Sequence, residues 1–199
     1  MSSGLVVCFS GRIGSGKTSI TQILSSTLGW ARAGFGDYLR ALIAREGGDP
    51  SSRQALQDLG QNLVDADSEG FCLAVLKSAN FQPGGDLLLD GIRHVDIKNR
   101  VNRLVAPSRA ILIHLTLDEC ELLKRVESRP QGSIDLAHAE KHRVESELIT
   151  SLPQVADRVV DASPSIHALA GNLLSVIAEF GVEPNVILQA RTTLASMPT

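Results

Sequence analysis

The residues best suited to chemistry lie near the start of the chain, where Gly11-Arg12-Ile13-Gly14-Ser15-Gly16-Lys17-Thr18 fits the pattern G-x-x-x-x-G-K-[ST] in full. Glycines at these places let backbone N–H groups converge on phosphate oxygens without Cβ clashes, and a helix opening at Lys17 adds the partial positive charge of its N-terminus. In such a loop the lysine reaches the β- and γ-phosphates of ATP and the Thr18 hydroxyl meets Mg²⁺. The expected ATP-binding set is Gly11, Arg12, Ile13, Gly14, Ser15, Gly16, Lys17, Thr18 and Ser19, with Thr18 as a metal ligand.

A second feature is Leu87-Leu88-Leu89-Asp90-Gly91, an apolar run closing on a carboxylate. Beside a phosphate loop, Asp90 is placed to hold Mg²⁺ or its waters; a turn or capping role ahead of Gly91 is the plainer alternative. A second anion site would separate a phosphoryl-transferring enzyme from a switch or a motor. Arg40, Arg93, Arg125 and Arg129 are its candidates, because guanidinium forks suit phosphate, although each alone also reads as a solvated surface charge. Arg125 and Arg129 are four apart on one helix face. Arg143, with Lys141 and His142, either joins them or lies on a solvated helix face. Asp37 has three readings: a general base if the acceptor is a hydroxyl, a group that orients the substrates or helps with Mg²⁺ if it is already a phosphate, or a helix N-cap. His94, His114, His138 and His167 lack metal-ligand spacing.

The elements that must position these residues alternate. Short β-rich runs at 5–10, 31–35, 86–90, 110–115 and 158–161 are separated by helical patterns, which argues for an α/β three-layer sandwich with a five-stranded parallel sheet. The strands are mostly continuous apolar runs, as expected when both faces are buried. A first helix over 17–28 carries Ile20, Ile23, Leu24 and Leu28 on one stripe, and a second follows Gly36 with Leu39, Leu42 and Ile43. Ser51 with Gln54 predicts a capping box for a third helix, Asp67 caps a fourth, and Asp118 with Glu121 opens another. Ser163 followed by Pro164 at the first helical position predicts the start of a long helix that stops at Gly181, leaving 183–199 as a tail. Two helical excursions, 36–82 and 125–150, interrupt the βα alternation where they could close over the carboxyl ends of the strands.

Composition bounds the answer. The 199 residues suit one domain with a real core, and 43% apolar against 21% charged residues excludes wholesale disorder and fibrous architectures. With aromatics at 4% the core must be aliphatic. A net charge of −3 gives no reason to expect a nucleic-acid polymer or an anionic membrane as partner, so an anion must be held locally. Cys8, Cys72 and Cys120 lie far apart among aliphatic residues and read as reduced core thiols. No run approaches the ~18 apolar residues of a membrane span, and the first residues lack a basic leader pattern, so a cytoplasmic monomer or homodimer is expected.

Five segments carry a resemblance to a known family. Gly36-Asp37-Tyr38-Leu39-Arg40-Ala41-Leu42-Ile43 resembles the G-D-x-L-R segment of adenylate-kinase-like P-loop nucleoside monophosphate kinases, and Leu88-Leu89-Asp90-Gly91-Ile92-Arg93 is similar to their L-L-D-G-x-x-R with the arginine one residue early. The segment from Asp118 to Arg129 resembles their lid entrance, and Ala156-Asp157-Arg158-Val159-Val160-Asp161 their last strand. Leu56-Gln57-Asp58-Leu59-Gly60 resembles phage-type deoxynucleoside monophosphate kinases, with Gln61 where that branch has threonine and Asp65 where its arginine falls.

The resemblance implies one kinase domain over 1–199. Its core would be 1–35, 84–124 and 151–182, with an acceptor-binding insertion at 36–82, a short lid at 125–150 and a C-terminal tail at 183–199. It also implies roles: ATP on the loop with Mg²⁺ on Thr18 and Asp90, a small-molecule phosphate acceptor on Asp37, Arg40 and Arg93, and Lys17, Asp37, Arg125 and Arg129 as the catalytic set. Dephospho-coenzyme A kinase and phosphomevalonate-kinase-like enzymes share the plan and stay open as alternatives. From another class, a regulatory NTPase switch is disfavoured by the lack of an N-K-x-D motif, and an AAA-type motor by the lack of any sign of its C-terminal helical lid domain.

Overall fold

The computed structural model describes residues 4–128 and 148–198. The apolar run Leu5–Gly11 forms β1 at the centre of a five-stranded sheet, flanked in parallel by β3 (Leu87–Asp90) and β4 (Arg109–Thr116). With β2 (Ala31–Gly34) and β5 (Arg158–Asp161) outside them, the order is β2-β3-β1-β4-β5, parallel throughout. The register pairs Val7 with both Leu88 and Ile111, and alternation along β1 then sorts its side chains.

Leu5, Val7 and Phe9 enter one core cluster with Ile20 and Leu24 of α1 (Lys17–Leu28). Val6 and Cys8 enter the opposite cluster, with side chains of α2 (Phe35–Arg45), α3 (Arg53–Ser78) and α4 (Val95–Leu104). The expected three layers are therefore present. Because the chain leaves β1 toward β2 on one side and reaches β4 on the other, the crevice of the sheet opens at the carboxyl ends of β1, β3 and β4.

The expected third and fourth helices run together as α3, kinked at Asp67 (φ −159°, ψ 81°). Asp67 caps the second half as predicted, its Oδ1 accepting from Gly70 N–H at 2.8 Å. The start of α3 differs by one residue: Ser52 accepts from Ala55 N–H, while Ser51 is held in a turn by Asp49 Oδ1. Asp49 competes for the serine that the capping-box pattern would use. After β4 come α5 (Glu119–Glu127), capped by Asp118, and the short α6 (Leu152–Val155). The long helix α7 (Ile166–Ala178) begins after Ser165, two residues beyond the predicted cap, because Asp161 accepts both the N–H and the hydroxyl of Ser163.

The largest correction concerns the expected tail. Residues Pro184–Ala195 form α8, with Ile187, Ala190 and Leu194 buried against α1 and α7. The stripe is short and one of its three members is only an alanine, so the apolar signal is weak and tertiary packing decides. Cys120 is also corrected: it is exposed, because Leu122 and Val126 occupy the core side of α5. Cys8 and Cys72 are buried as expected, and burial pushes both thiols up to about 12. No described helix is long and apolar enough to cross a membrane.

If α8 belongs to the core, Ile187→Ala will lower unfolding free energy by about 2–4 kcal/mol in denaturant titration, the range for truncating a buried isoleucine. A loss below about 0.5 kcal/mol would mark the helix as a surface appendage.

Candidate active site

The glycine loop leaves β1 and enters α1 at the crevice. Gly11 has φ +141°, and a Cβ there would lie 2.5 Å from the Leu115 carbonyl oxygen. Gly16 has φ +82°, and a Cβ on it would meet nothing within 4 Å, so the loop encloses open space at the start of α1. Lys17 Nζ lies inside this loop, donating to the Gly11 and Arg12 carbonyls and to Ser15 Oγ. Ile13, Leu122 and Val126 form a small cluster of their own, which braces the loop on α5. Arg12 points away, toward Glu119 at 3.4 Å.

At the end of β3, Asp90 is 6% exposed. Its Oδ2 accepts from Thr18 Oγ1 at 2.8 Å and from Arg32 Nη2 at 3.3 Å, while its buried Oδ1 has no hydrogen-bond partner. A buried carboxylate oxygen without a donor is costly and marks a place for a ligand. Among the described residues no group of three or more His, Cys, Asp or Glu could hold a metal. One carboxylate beside one hydroxyl is nonetheless the donor set that a phosphate-bound Mg²⁺ requires of a protein.

Next to the loop, α2 and the first half of α3 wall a cavity. It is lined by Lys17, Thr18, Ser19, Asp37, Arg40, Asp90 and Arg93, as the sequence predicts, and also by Arg53, Gln57 and Gln61. These last three recur at four-residue spacing on α3, with Leu56, Gly60 and Val64 on the same stripe. That periodicity was available as a signal; the polar members mark a stripe facing a solvent-filled crevice rather than core. Gln57 Nε2 is buried there without a partner. Phe35 and Phe71 close the wall edge to face, 5.2 Å apart.

Arg32 on β2 is the functional candidate that sequence reasoning misses. It donates from Nε to Thr21 Oγ1 at 2.9 Å, pairs from Nη1 with Asp37 Oδ2 at 2.8 Å, and reaches Asp90 from Nη2. Asp37 Oδ1 in turn accepts from Arg40 at 3.0 Å. Arg125 is not brought to the cavity: it pairs with Glu121 and donates to the carbonyls of Ala162 and Ser163. Arg129 and Arg143 lie outside the described residues.

His114 sits beneath the loop, 2.8 Å from Ser10 Oγ through Nδ1. Burial first, and the charge of Lys17 second, lower its pKa from 6.5 to about 4. It is uncharged at neutral pH.

These features meet in a known family. A family model described as an AAA domain matches residues 7–151. The chain belongs to this family. Solved structures that align over most of the chain include several kinases. A putative kinase from Chloroflexus aurantiacus aligns at 19% identity and TM-score 0.58, covering 92% of this chain and 100% of its own. Shikimate kinase from Acinetobacter baumannii, in complex with shikimate, aligns at 15% identity and TM-score 0.56, covering 92% and 97%. The Mycobacterium tuberculosis APS kinase, in complex with AMPPNP and APS, aligns at 18% identity and TM-score 0.56, covering 89% and 99%. At these identities the likeness establishes the fold, that of P-loop kinases. No curated protein matches the chain.

The neutral His114 of this family member gives a pH signature. Above about pH 6.5 the folded and unfolded states carry the same proton count at this residue. Below it the unfolded imidazole binds a proton that the folded one refuses until about pH 4, so stability falls across that window. Thermal melts of the wild type and His114→Gln from pH 8 to 4 will show a stability difference that shrinks as pH falls from 6.5 to 4. A difference independent of pH would mean that the folded histidine titrates normally.

Proposed function

We propose that the chain transfers the γ-phosphoryl group of ATP to the phosphate of a small monophosphate, most specifically a nucleoside or deoxynucleoside monophosphate. The observation that carries this reading is the single cavity in which Lys17 and Thr18 of the phosphate loop share a lining with Arg40, Arg53 and Arg93. In the reaction the bond from the γ-phosphorus to its bridging oxygen breaks, an acceptor phosphate oxygen bonds to that phosphorus, and ADP leaves with the electron pair. Such transfer relies on positioning and charge neutralisation, which lysine and arginine supply.

Asp37 favours a phosphate over a hydroxyl as acceptor. Both of its oxygens are engaged by guanidinium groups, Oδ1 by Arg40 and Oδ2 by Arg32, whereas a general base needs an oxygen aimed at the hydroxyl proton. An acceptor that is already a phosphate needs no such base. A heterocyclic base on the acceptor is supported by the unpartnered Gln57 amide, which calls for a ring or carbonyl acceptor, beside the apolar wall of Phe35, Leu56 and Phe71. Thr18 Oγ1 and Asp90 would hold Mg²⁺, which would supply neutralisation of the charge on the phosphates of ATP. Arg125 reaches the transferred group only by giving up Glu121 and the carbonyls of Ala162 and Ser163.

The test is a coupled ADP-release assay with Mg²⁺-ATP against all ribo- and deoxyribonucleoside monophosphates, dephospho-coenzyme A and phosphomevalonate, with a no-acceptor control. One nucleoside monophosphate should stimulate release strongly; slow, acceptor-independent hydrolysis alone would favour an NTPase switch instead. Lys17→Ala should lower kcat by about 10²–10³-fold with the fold intact, as removal of one transition-state donor does. Arg40→Ala should raise the acceptor KM by about 10–100-fold, the cost of one charged hydrogen bond, without raising the KM for ATP. Equal effects on both substrates would remove Arg40 from the acceptor site.

A further inference from the structure

Arg32 is fastened at three points, and the three belong to different parts of the site. Its Nε is fixed by Thr21 on α1, one turn beyond Thr18, and Thr21 Oγ1 itself donates to the Thr18 carbonyl at 3.0 Å. Its two terminal nitrogens divide between Asp37 at 2.8 Å and Asp90 at 3.3 Å. One unbroken chain of polar contacts therefore runs Thr18–Asp90–Arg32–Asp37–Arg40, from the donor side of the cavity to the acceptor side.

We propose that Arg32 is a positioning residue that couples the two substrate sites, so that an acceptor anion on Arg40 favours the metal-nucleotide on Thr18 and Asp90. The physical argument is competition for charge. Without an acceptor, Asp37 shares two cations, Arg32 and Arg40. An acceptor phosphate draws Arg40 off Asp37, which leaves Asp37 to Arg32 alone. Arg32 then commits more fully to Asp37, and its longer contact with Asp90 is the one that yields. Asp90 Oδ2 is released from a competing cation beside the already unpartnered Oδ1, and the carboxylate becomes a better ligand for a divalent cation. By linkage the coupling is reciprocal, so Mg²⁺-nucleotide on the donor side strengthens acceptor binding by the same factor. The single turn of helix at Thr21 keeps the guanidinium in place while its two carboxylate contacts exchange strength.

The proposal rests on the phosphotransfer reading for the identity of its ligands, but its test reads binding and not turnover. Calorimetric Kd values for inorganic phosphate and for the four deoxynucleoside 5′-monophosphates are measured with and without Mg²⁺-AMPPNP, in the wild type and in Arg32→Lys, which keeps the charge but cannot hold two carboxylates and Thr21 together. The wild type should bind the acceptor probe at least about fivefold tighter with Mg²⁺-AMPPNP present, the lower end of ordinary coupling, and in the lysine variant this ratio should fall to about one. A wild-type ratio of one, or a ratio that survives in the variant, overturns the proposal.

Asp37→Asn provides an arm that leaves the Arg32–Asp90 pair intact. With Asp37 neutralised, Arg32 is left to Asp90, so the Mg²⁺ concentration giving half-maximal AMPPNP binding should rise several-fold even though Asp37 lies toward the acceptor. An unchanged or lower Mg²⁺ requirement overturns the coupling. These readouts stand even if no acceptor in the turnover panel is phosphorylated, so failure of the activity and failure of the coupling are distinguished.

Discussion

A carboxylate stands at the end of the most buried part of the sheet, and the site is arranged around making that tolerable. Asp90 follows Leu87, Leu88 and Leu89, each fully buried, and an ionised carboxyl group in that position must be matched or it would cost several kcal/mol. The match comes from two directions at once. Thr18, on the first turn of α1, donates a hydroxyl, and Arg32, on the neighbouring strand, brings a cation. The parallel register of β2 and β3 sets Gly34 beside Asp90 and so Arg32 one pleat back on the same face, while the phosphate loop between β1 and α1 brings Thr18 to it. The phosphate loop, the edge strand β2 and its neighbour β3 are thereby held to one another by charge as well as by aliphatic packing.

The carboxyl edge of the sheet explains how donor and acceptor regions come to share one cavity. The β1–α1 connection makes the loop, and β2 passes directly into α2 with Gly34 as its cap, so Asp37 and Arg40 fall within the first turns beside the loop. The kink at Asp67 then divides α3 in two. The half bearing Phe71, Cys72, Val75 and Leu76 is buried in the core, while the half bearing Arg53, Gln57 and Gln61 lines the crevice. One helix thus serves as both scaffold and wall.

Much of this was legible in sequence because it rests on local rules. Strands buried on both faces must be apolar throughout, the glycine pattern has one structural solution, and Asp67 and Asp118 cap helices by direct contacts within three residues. The residues that escaped are those whose meaning is set across the fold. Arg32 stands in the short segment Ala31-Arg32-Ala33-Gly34, where an isolated arginine reads as an edge-strand charge; only the pairing of β2 with β3 brings it to Asp90. Ser51 and Ser163 were displaced as caps by aspartates two residues before each, a local competition that the serine pattern does not register. Arg125 is spaced correctly for a phosphate contact, yet a carboxylate one turn earlier, Glu121, takes its guanidinium.

The thiols of the chain offer an unplanned experimental handle. Cys8 and Cys72 are buried with their ionisation suppressed, and a protonated, enclosed sulfur does not react with electrophiles. Cys120 is exposed, next to Glu119, whose carboxylate meets Arg12 of the phosphate loop. A maleimide fluorophore added to the native protein is therefore directed to one position, beside the loop, and can report nucleotide arrival by emission change without any engineered cysteine.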